Sequence, residues 1–169
     1  MTTAPKGKMI SPMSDSPDHA AALGVMLANF AILESSLLRL MQLALNSTQG
    51  QAASIYNGII SVPAKLDIIQ ELLIHSKLPG ELCEEITKLL TRARRLNKRR
   101  SEYVHASWGV GFKEGALTII SSGLSRGQEP KHRDIKASEI QRLADDLGEL
   151  SWEISALLHP DKRAASYLG

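Results

Sequence analysis

Cysteine and aromatic residues are scarce in this sequence. Cys83 is the single cysteine, which excludes an intrachain disulfide and is typical of a protein from a reducing cytoplasm. Aromatic residues make up 4% of the 169 residues and hydrophobic residues 43%. A core must therefore consist mainly of Leu, Ile, Ala and Met. This length predicts one domain that buries a sizeable core.

Targeting and membrane-spanning segments are not evident either. Met1–Asp15 has no apolar stretch followed by a cleavage site, so it does not resemble a signal peptide. The most apolar stretch, Ala20–Leu45, contains Asn29, Glu34 and Arg39, and we interpret it as too polar to cross a bilayer. The sequence thus predicts a soluble, cytoplasmic protein with no membrane partner.

Motifs for metal and nucleotide chemistry are missing. No Gly-rich loop in a strand–loop–helix context is present to hold a phosphate chain, which disfavours a nucleotide hydrolase. The Glu-x-x-His pairs of di-iron bundles are absent. Four histidines lack ligating partners at a recurring helical spacing: His19, His75, His132 and His159. We expect no metal and no cofactor.

Positive charge is concentrated in one stretch. The formal net charge is only +2, yet Lys88–Arg100 contains seven basic residues and no acid. Such a run predicts a surface that binds nucleic acid. The alternative is a solvated helix face whose cations suit the negative end of the helix dipole. The candidate nucleic-acid-binding residues are Arg92, Arg94, Arg95, Lys98, Arg99 and, as an aromatic that can stack on a base, Trp108.

Hydrophobic spacing predicts four amphipathic helices with polar tails at both ends. The helices are expected near 16–46, 63–76, 81–106 and 138–158, the last with a capping box at Ser138-Glu139-Ile140-Gln141, and a short helix fits 52–60. A β-hairpin is expected at 109–113 and 116–121 around Glu114-Gly115, followed by a loop at 123–133. The predicted fold is all-α: an antiparallel four-helix bundle with a small β-hairpin before the last helix. Residues 16–160 form the domain, and 1–15 and 161–169 are tails, the first expected to be disordered.

Two residues at the end of the basic run attract attention. Arg100 interrupts the apolar stripe of the third helix, whereas His105 lies on a polar stripe with Asn97 and Ser101. At 100° per residue the two side chains lie about 140° apart, so they do not stack on each other. They can converge on one substrate at the rim of a cleft or across a dimer interface.

An Arg followed by a His after four to six residues, near the end of a basic helix, resembles the HEPN superfamily. Here Arg100-Ser101-Glu102-Tyr103-Val104-His105 matches that pattern, although Ser101 stands where family members often carry Asn, Asp or His. The runs FAILESSLLRL and VPAKLDIIQELL and the Trp after the His are also similar to small bacterial HEPN-type proteins. The resemblance covers about residues 20–158.

The resemblance implies a metal-independent endoribonuclease of a bacterial defence or toxin–antitoxin module. Arg100 would clamp the scissile phosphate and His105 would move the proton. Asn97, Ser101 and Glu34 would support them, with Glu34 pairing an arginine of the third helix. The implied partners are RNA, a second copy of the chain that shares the cleft, and an antitoxin or other protein.

Each assignment has a plainer interpretation. His105 can be a partly buried helix-end histidine that bonds a carbonyl, while Arg100 extends its charge out of the apolar stripe. Glu34 can be a surface carboxylate, and Tyr103 is better explained as a core residue. The alternative function is a catalytically inactive HEPN-like module that binds RNA or protein.

Overall fold

The computed structural model describes residues 13–110, 116–121 and 131–159. This part of the chain is mainly helical, with a small antiparallel sheet before the last helix. The helices are α1 (Pro17–Leu45), α2 (Gln49–Gly58), α3 (Val62–His75), α4 (Gly80–Val104) and α5 (Ala137–Leu158). The strands are β1 (Ser107–Val110), β2 (Ala116–Ser121) and β3 (Lys131–Lys136). The predicted Glu114-Gly115 turn, the C-terminal tail and residues 1–12 of the N-terminal tail lie outside the described residues.

Side chains satisfy free backbone N–H groups at the starts of α2, α3 and α5. At α3 the Ser61 hydroxyl accepts from the backbone N–H of Ala64 at 3.3 Å. Thr48 and Gln51 form a capping box at α2, in which the Gln51 side chain accepts from the Thr48 backbone N–H at 3.0 Å. At α5 the Glu139 carboxylate accepts from the backbone N–H of Lys136 at 3.1 Å. The predicted capping box starting at Ser138 is therefore wrong. Glu139 bonds back to Lys136, the residue before the helix, so the cap of α5 lies two residues earlier than predicted.

The four long helices pack in a cycle, in which α1 contacts α5 and α3, and α4 contacts the same two helices. Helices α1 and α5 run parallel, because their paired residues rise together along the chain. The pairs are His19 with Ile135, Asn29 with Ala144, and Arg39 with His159. Helix α4 runs opposite to both neighbours, since Arg92 meets Glu153 while Arg99 meets Asp146.

The parallel pair α1 and α5 differs from the predicted alternation of four helices. Helix α2 packs on α1 and reverses the chain between α1 and α3, so it acts as an additional antiparallel segment. The first and last helices consequently point the same way. Helix α2 buries only Ala52 and Tyr56. Because this apolar pattern is so short, the sequence predicted a short helix here but not that it reverses the direction of the chain.

The sheet contains a third strand that the hairpin prediction missed. In the register, Trp108 lies opposite Ile119, and Ile119 lies opposite Arg133. Strand β3 occupies part of the predicted loop at 123–133 and extends beyond it. Its sequence, KHRDIK, has one apolar residue, Ile135. An edge strand with so little alternation gives almost no sequence signal.

Helix α1 is the most apolar of the helices α1 to α5. By length and composition alone, α1 is able to cross a membrane. The prediction that its polar residues exclude a membrane span is therefore not confirmed. Within the protein, 33% of its most apolar window is buried. Met26, Leu33 and Leu37 are at most 1% exposed and belong to the main core. This packing is compatible with a soluble protein.

Candidate active site

Helix α4 directs Arg100 into the interior of the protein. Ala93, Leu96 and Tyr103 on the same face are buried, so the position of Arg100 is set by an apolar stripe. Its guanidinium carbon lies 4.0 Å from the centre of the Phe30 ring on α1. The Nε atom is buried and has no hydrogen-bond partner among the described residues. The cation is thus partly desolvated and stacked on an aromatic ring.

Burial lowers the pKa of Arg100, and the negative charge of Glu34 partly opposes that effect. Arginine nevertheless remains charged at neutral pH, because its ordinary pKa lies far into the alkaline range. A half-buried guanidinium with an unsatisfied N–H is an unfavourable arrangement unless an anion completes it. The side chain therefore has the properties of an anion-binding group.

Glu34 pairs with a lysine that the sequence analysis did not single out. Its Oε1 atom lies 3.0 Å from Nζ of Lys65 on α3. The Lys65 ammonium also lies 4.1 Å from the centre of the Tyr56 ring, a cation–π contact. The predicted pairing of Glu34 with an arginine of the third predicted helix is therefore wrong as a direct contact, because Lys65 from a different helix occupies the carboxylate.

Two buried polar side chains lack hydrogen-bond partners in the part of the chain that the structure describes. They are the hydroxyl of Tyr56 and the Oδ1 atom of Asn97, and the two residues are only 3% and 7% exposed. Desolvation, and secondarily the charge of Glu34, raises the pKa of Tyr56 well above its ordinary value, so the phenol stays neutral. Asn97 was predicted to support the site, and it lies one helical turn before Arg100. We call Glu34, Tyr56, Lys65, Asn97 and Arg100 the polar cluster.

The two cations of the polar cluster meet α1 at successive turns. Lys65, near the beginning of α3, meets Glu34, whereas Arg100 packs on Phe30, one turn earlier on α1. Side-chain bonds between α3 and α4 join Asp67 to Arg94 and Gln70 to Thr87. Along α4, Arg100 therefore lies beyond these bonds, where its guanidinium meets α1.

His105 follows α4 directly and faces solvent. Its backbone N–H donates to the Ser101 carbonyl at 3.1 Å, which ends the helix. The side chain is exposed, whereas Arg100 points inward. The two side chains therefore point in different directions from α4, one toward Phe30 and one toward solvent. The interpretation of His105 as a partly buried residue is wrong, since its side chain is exposed.

The basic run is neutralised more than its sequence indicates. Arg92 binds Glu149 and Glu153 of α5, Arg94 binds Asp67 of α3, and Arg99 binds Asp146 of α5. Arg95 and Lys98 are exposed and form no ion pair within the described residues. The acids come from other helices, so the absence of acids in Lys88–Arg100 did not reveal them. The unpaired positive surface of α4 is narrower than predicted.

Trp108 packs against the protein as well as facing solvent. Its ring stacks on Tyr103 with centroids 6.3 Å apart, and Nε1 donates to the Tyr103 carbonyl at 3.2 Å. Tyr103 is buried, as predicted for a core residue. The exposed Arg133 donates to the Tyr103 hydroxyl at 3.3 Å and was missed because β3 was not predicted. The indole N–H is already used, which leaves its half-buried ring face as the group available to a base.

No group of three or more His, Cys, Asp or Glu residues is arranged to hold a metal ion in the described ranges 13–110, 116–121 and 131–159. Comparison of the chain with models of protein families, with curated proteins and with solved structures finds no match. The assignment of a function therefore depends on the residues and geometry of the polar cluster and of α4.

Proposed function

We propose that this chain is a HEPN-like, metal-independent endoribonuclease of the bacterial cytoplasm. The observation that carries the proposal is the guanidinium of Arg100, which is half-buried against Phe30 and has no ion-pair partner among the described residues. Five residues later, the exposed His105 supplies an imidazole, the side chain that most often serves as general acid or base. We further propose that α1, α3, α4 and α5 form the HEPN-type four-helix bundle, with α2 as a connecting helix.

The chemistry requires only these side chains and an RNA strand. Arg100 binds the non-bridging oxygens of a phosphodiester and stabilises the charge that develops as the 2′-OH attacks phosphorus. His105 transfers the proton of the attacking hydroxyl or of the departing 5′-oxygen. The P–O5′ bond breaks, and the products are a 2′,3′-cyclic phosphate and a 5′-hydroxyl. Asn97 and Ser101 flank the site on α4.

A second copy of the chain supplies the missing convergence of Arg100 and His105. Exposed apolar side chains lie near both residues of the Arg100–Phe30 stack in the sequence: Leu27 is one turn before Phe30, and Val104 is one turn after Arg100. Ile60, just before α3, is 100% exposed. Contiguous apolar surface of this kind would suit a protein interface. We propose a two-fold dimer in which His105 of each subunit faces the shared cleft.

Cleavage in the presence of a chelator tests the nuclease directly. Wild-type protein should cut single-stranded RNA in excess EDTA, because no step uses a metal. His105→Ala should lower the single-turnover rate by roughly 10²–10⁴ with little change in affinity. His75→Ala, an exposed histidine at the end of α3, is the matched control and should cleave like wild type. Equal rates for both variants would return His105 to a structural role.

The second candidate is a HEPN-like module that binds RNA, or a protein such as an antitoxin, without cutting it. It is favoured by the ion pairs that neutralise Arg92, Arg94 and Arg99, and by Ser101 at a position where the related enzymes often carry a different polar residue. Saturable RNA binding with no cleavage under the same conditions supports this candidate and excludes the nuclease.

A further inference from the structure

The polar cluster contains two cations but one carboxylate. Lys65 lies 3.0 Å from Glu34, and its side chain is only 11% exposed. Arg100 forms no ion pair in the described part of the chain, and its Nε atom is buried without a partner. Glu34 therefore bonds one cation directly, while the second has no direct carboxylate partner among the described residues. Such an imbalance is unfavourable for the isolated protein and favourable for binding an anion.

Glu34 is also the natural partner of Arg100. It lies one turn beyond Phe30 on the same face of α1, and the Arg100 guanidinium is stacked on Phe30. Its negative charge already acts on Arg100 and opposes the fall in pKa that burial causes. A guanidinium can bind a carboxylate through two parallel hydrogen bonds, which lysine cannot. Without Lys65, the carboxylate would be expected to turn to Arg100 and occupy it.

We propose that Lys65 is a positioning residue that holds Glu34 away from Arg100 and thereby keeps the guanidinium available for a phosphate group. The natural source of that phosphate, an RNA phosphodiester, rests on the proposed function. The competition among Glu34, Lys65 and Arg100 is independent of cleavage, because it concerns only which anion occupies the guanidinium. It can therefore be measured with inorganic phosphate in the absence of RNA.

The experiment follows the Nε–H resonance of Arg100 by ¹H–¹⁵N NMR, assigned with Arg100→Lys, during titration with inorganic phosphate. Wild type should show a saturable shift. Lys65→Met should raise the dissociation constant roughly 10-fold or more, because Glu34 then competes for Arg100. Adding Glu34→Gln to Lys65→Met should restore binding. Lys98→Met is the control for the loss of a positive charge alone. If Lys98→Met weakens phosphate binding, adding Glu34→Gln to it should not restore the affinity.

Several results would overturn the proposal. These are the absence of a phosphate response in wild type, wild-type affinity in Lys65→Met, or no recovery in the double variant. If Lys65→Met does not fold, Glu34→Gln alone decides: it must bind phosphate at least as tightly as wild type, and weaker binding refutes the competition. The predicted phosphate binding pattern without RNA cleavage would refute the nuclease and support the role of Lys65. RNA cleavage without a phosphate response would support the nuclease and refute the role of Lys65.

Discussion

Arg100 combines a proposed function with a cost in stability. Its guanidinium is half-buried, its Nε–H is unsatisfied, and its apolar stem follows the buried stripe of α4. Arg100→Met keeps a long side chain against Phe30 and removes the uncompensated charge. We expect the free energy of unfolding to rise by on the order of 1 kcal/mol while RNA binding is lost.

Urea unfolding followed by circular dichroism measures this effect. Arg95→Met, at an exposed position on the same helix, is the matched control and should leave stability nearly unchanged. A clear loss of stability in Arg100→Met would mean that the charge is satisfied in the folded protein, and the anion-binding interpretation would then be withdrawn.

Tyr56 offers a second test at the residue scale, through pH. Burial and the charge of Glu34 raise its pKa above the ordinary value of about 10. Above that pH the unfolded chain releases the phenolic proton and the folded chain retains it, so stability falls as pH rises. Tyr56→Phe should flatten this alkaline loss and cost little at neutral pH, because the hydroxyl has no hydrogen bond. The free energy of unfolding is measured for wild type and Tyr56→Phe at pH 8 and pH 10.5. An equal loss of stability in the two proteins between these pH values would contradict this.

Side-chain partners were the part of the site that the sequence concealed. Helical spacing was sufficient to predict that Arg100 points inward and His105 points away from it, because both lie at the end of one helix. The pairing of Glu34 with Lys65 depends on how α1 and α3 meet in space. No periodicity within either helix encodes that contact.

At the scale of elements, α4 divides its cations between two tasks. Arg92 is held by two glutamates of α5, whereas Lys98 is exposed and unpaired among the described residues. Lys98→Ala should weaken RNA binding modestly and reduce the salt dependence by about one phosphate contact. Arg92→Ala should leave the salt dependence nearly unchanged and lower stability instead. Affinities at two salt concentrations, with melting curves, separate the two effects, and identical salt slopes in both variants would refute this division.

The long helices were predictable because each has an apolar stripe of many residues, as in α5, where eight positions are buried. The same reasoning was less informative for short or polar elements. It predicted a short helix at 52–60, where α2 spans Gln49–Gly58, but not the part of that helix in the topology. It missed β3, which contains one apolar residue. Missing α2 as a reversing segment also produced the wrong relative direction of α1 and α5. One short helix therefore changed the predicted topology.

At the scale of the whole molecule, the proposed dimer joins the separate halves of the site. Val104 is 38% exposed, lies one turn after Arg100 and immediately precedes His105. Val104→Asp should place a charge in the apolar contact and disrupt the dimer. Loss of the dimer should lower the cleavage rate. Arg100 and His105 of one chain point apart, so a monomer cannot present both to one phosphate.

Sedimentation at tens of micromolar, combined with single-turnover cleavage, tests this dependence. Ile74→Asp is the control, since Ile74 is 65% exposed near the opposite end of α3 and should leave both readouts unchanged. Mixing Arg100→Ala with His105→Ala protein gives a further test, because exchange of subunits creates one intact composite site in the heterodimer. Recovered cleavage would show that the two residues act from different chains. A wild-type monomer that cleaves RNA, or no recovery after verified subunit exchange, would contradict a site shared between subunits.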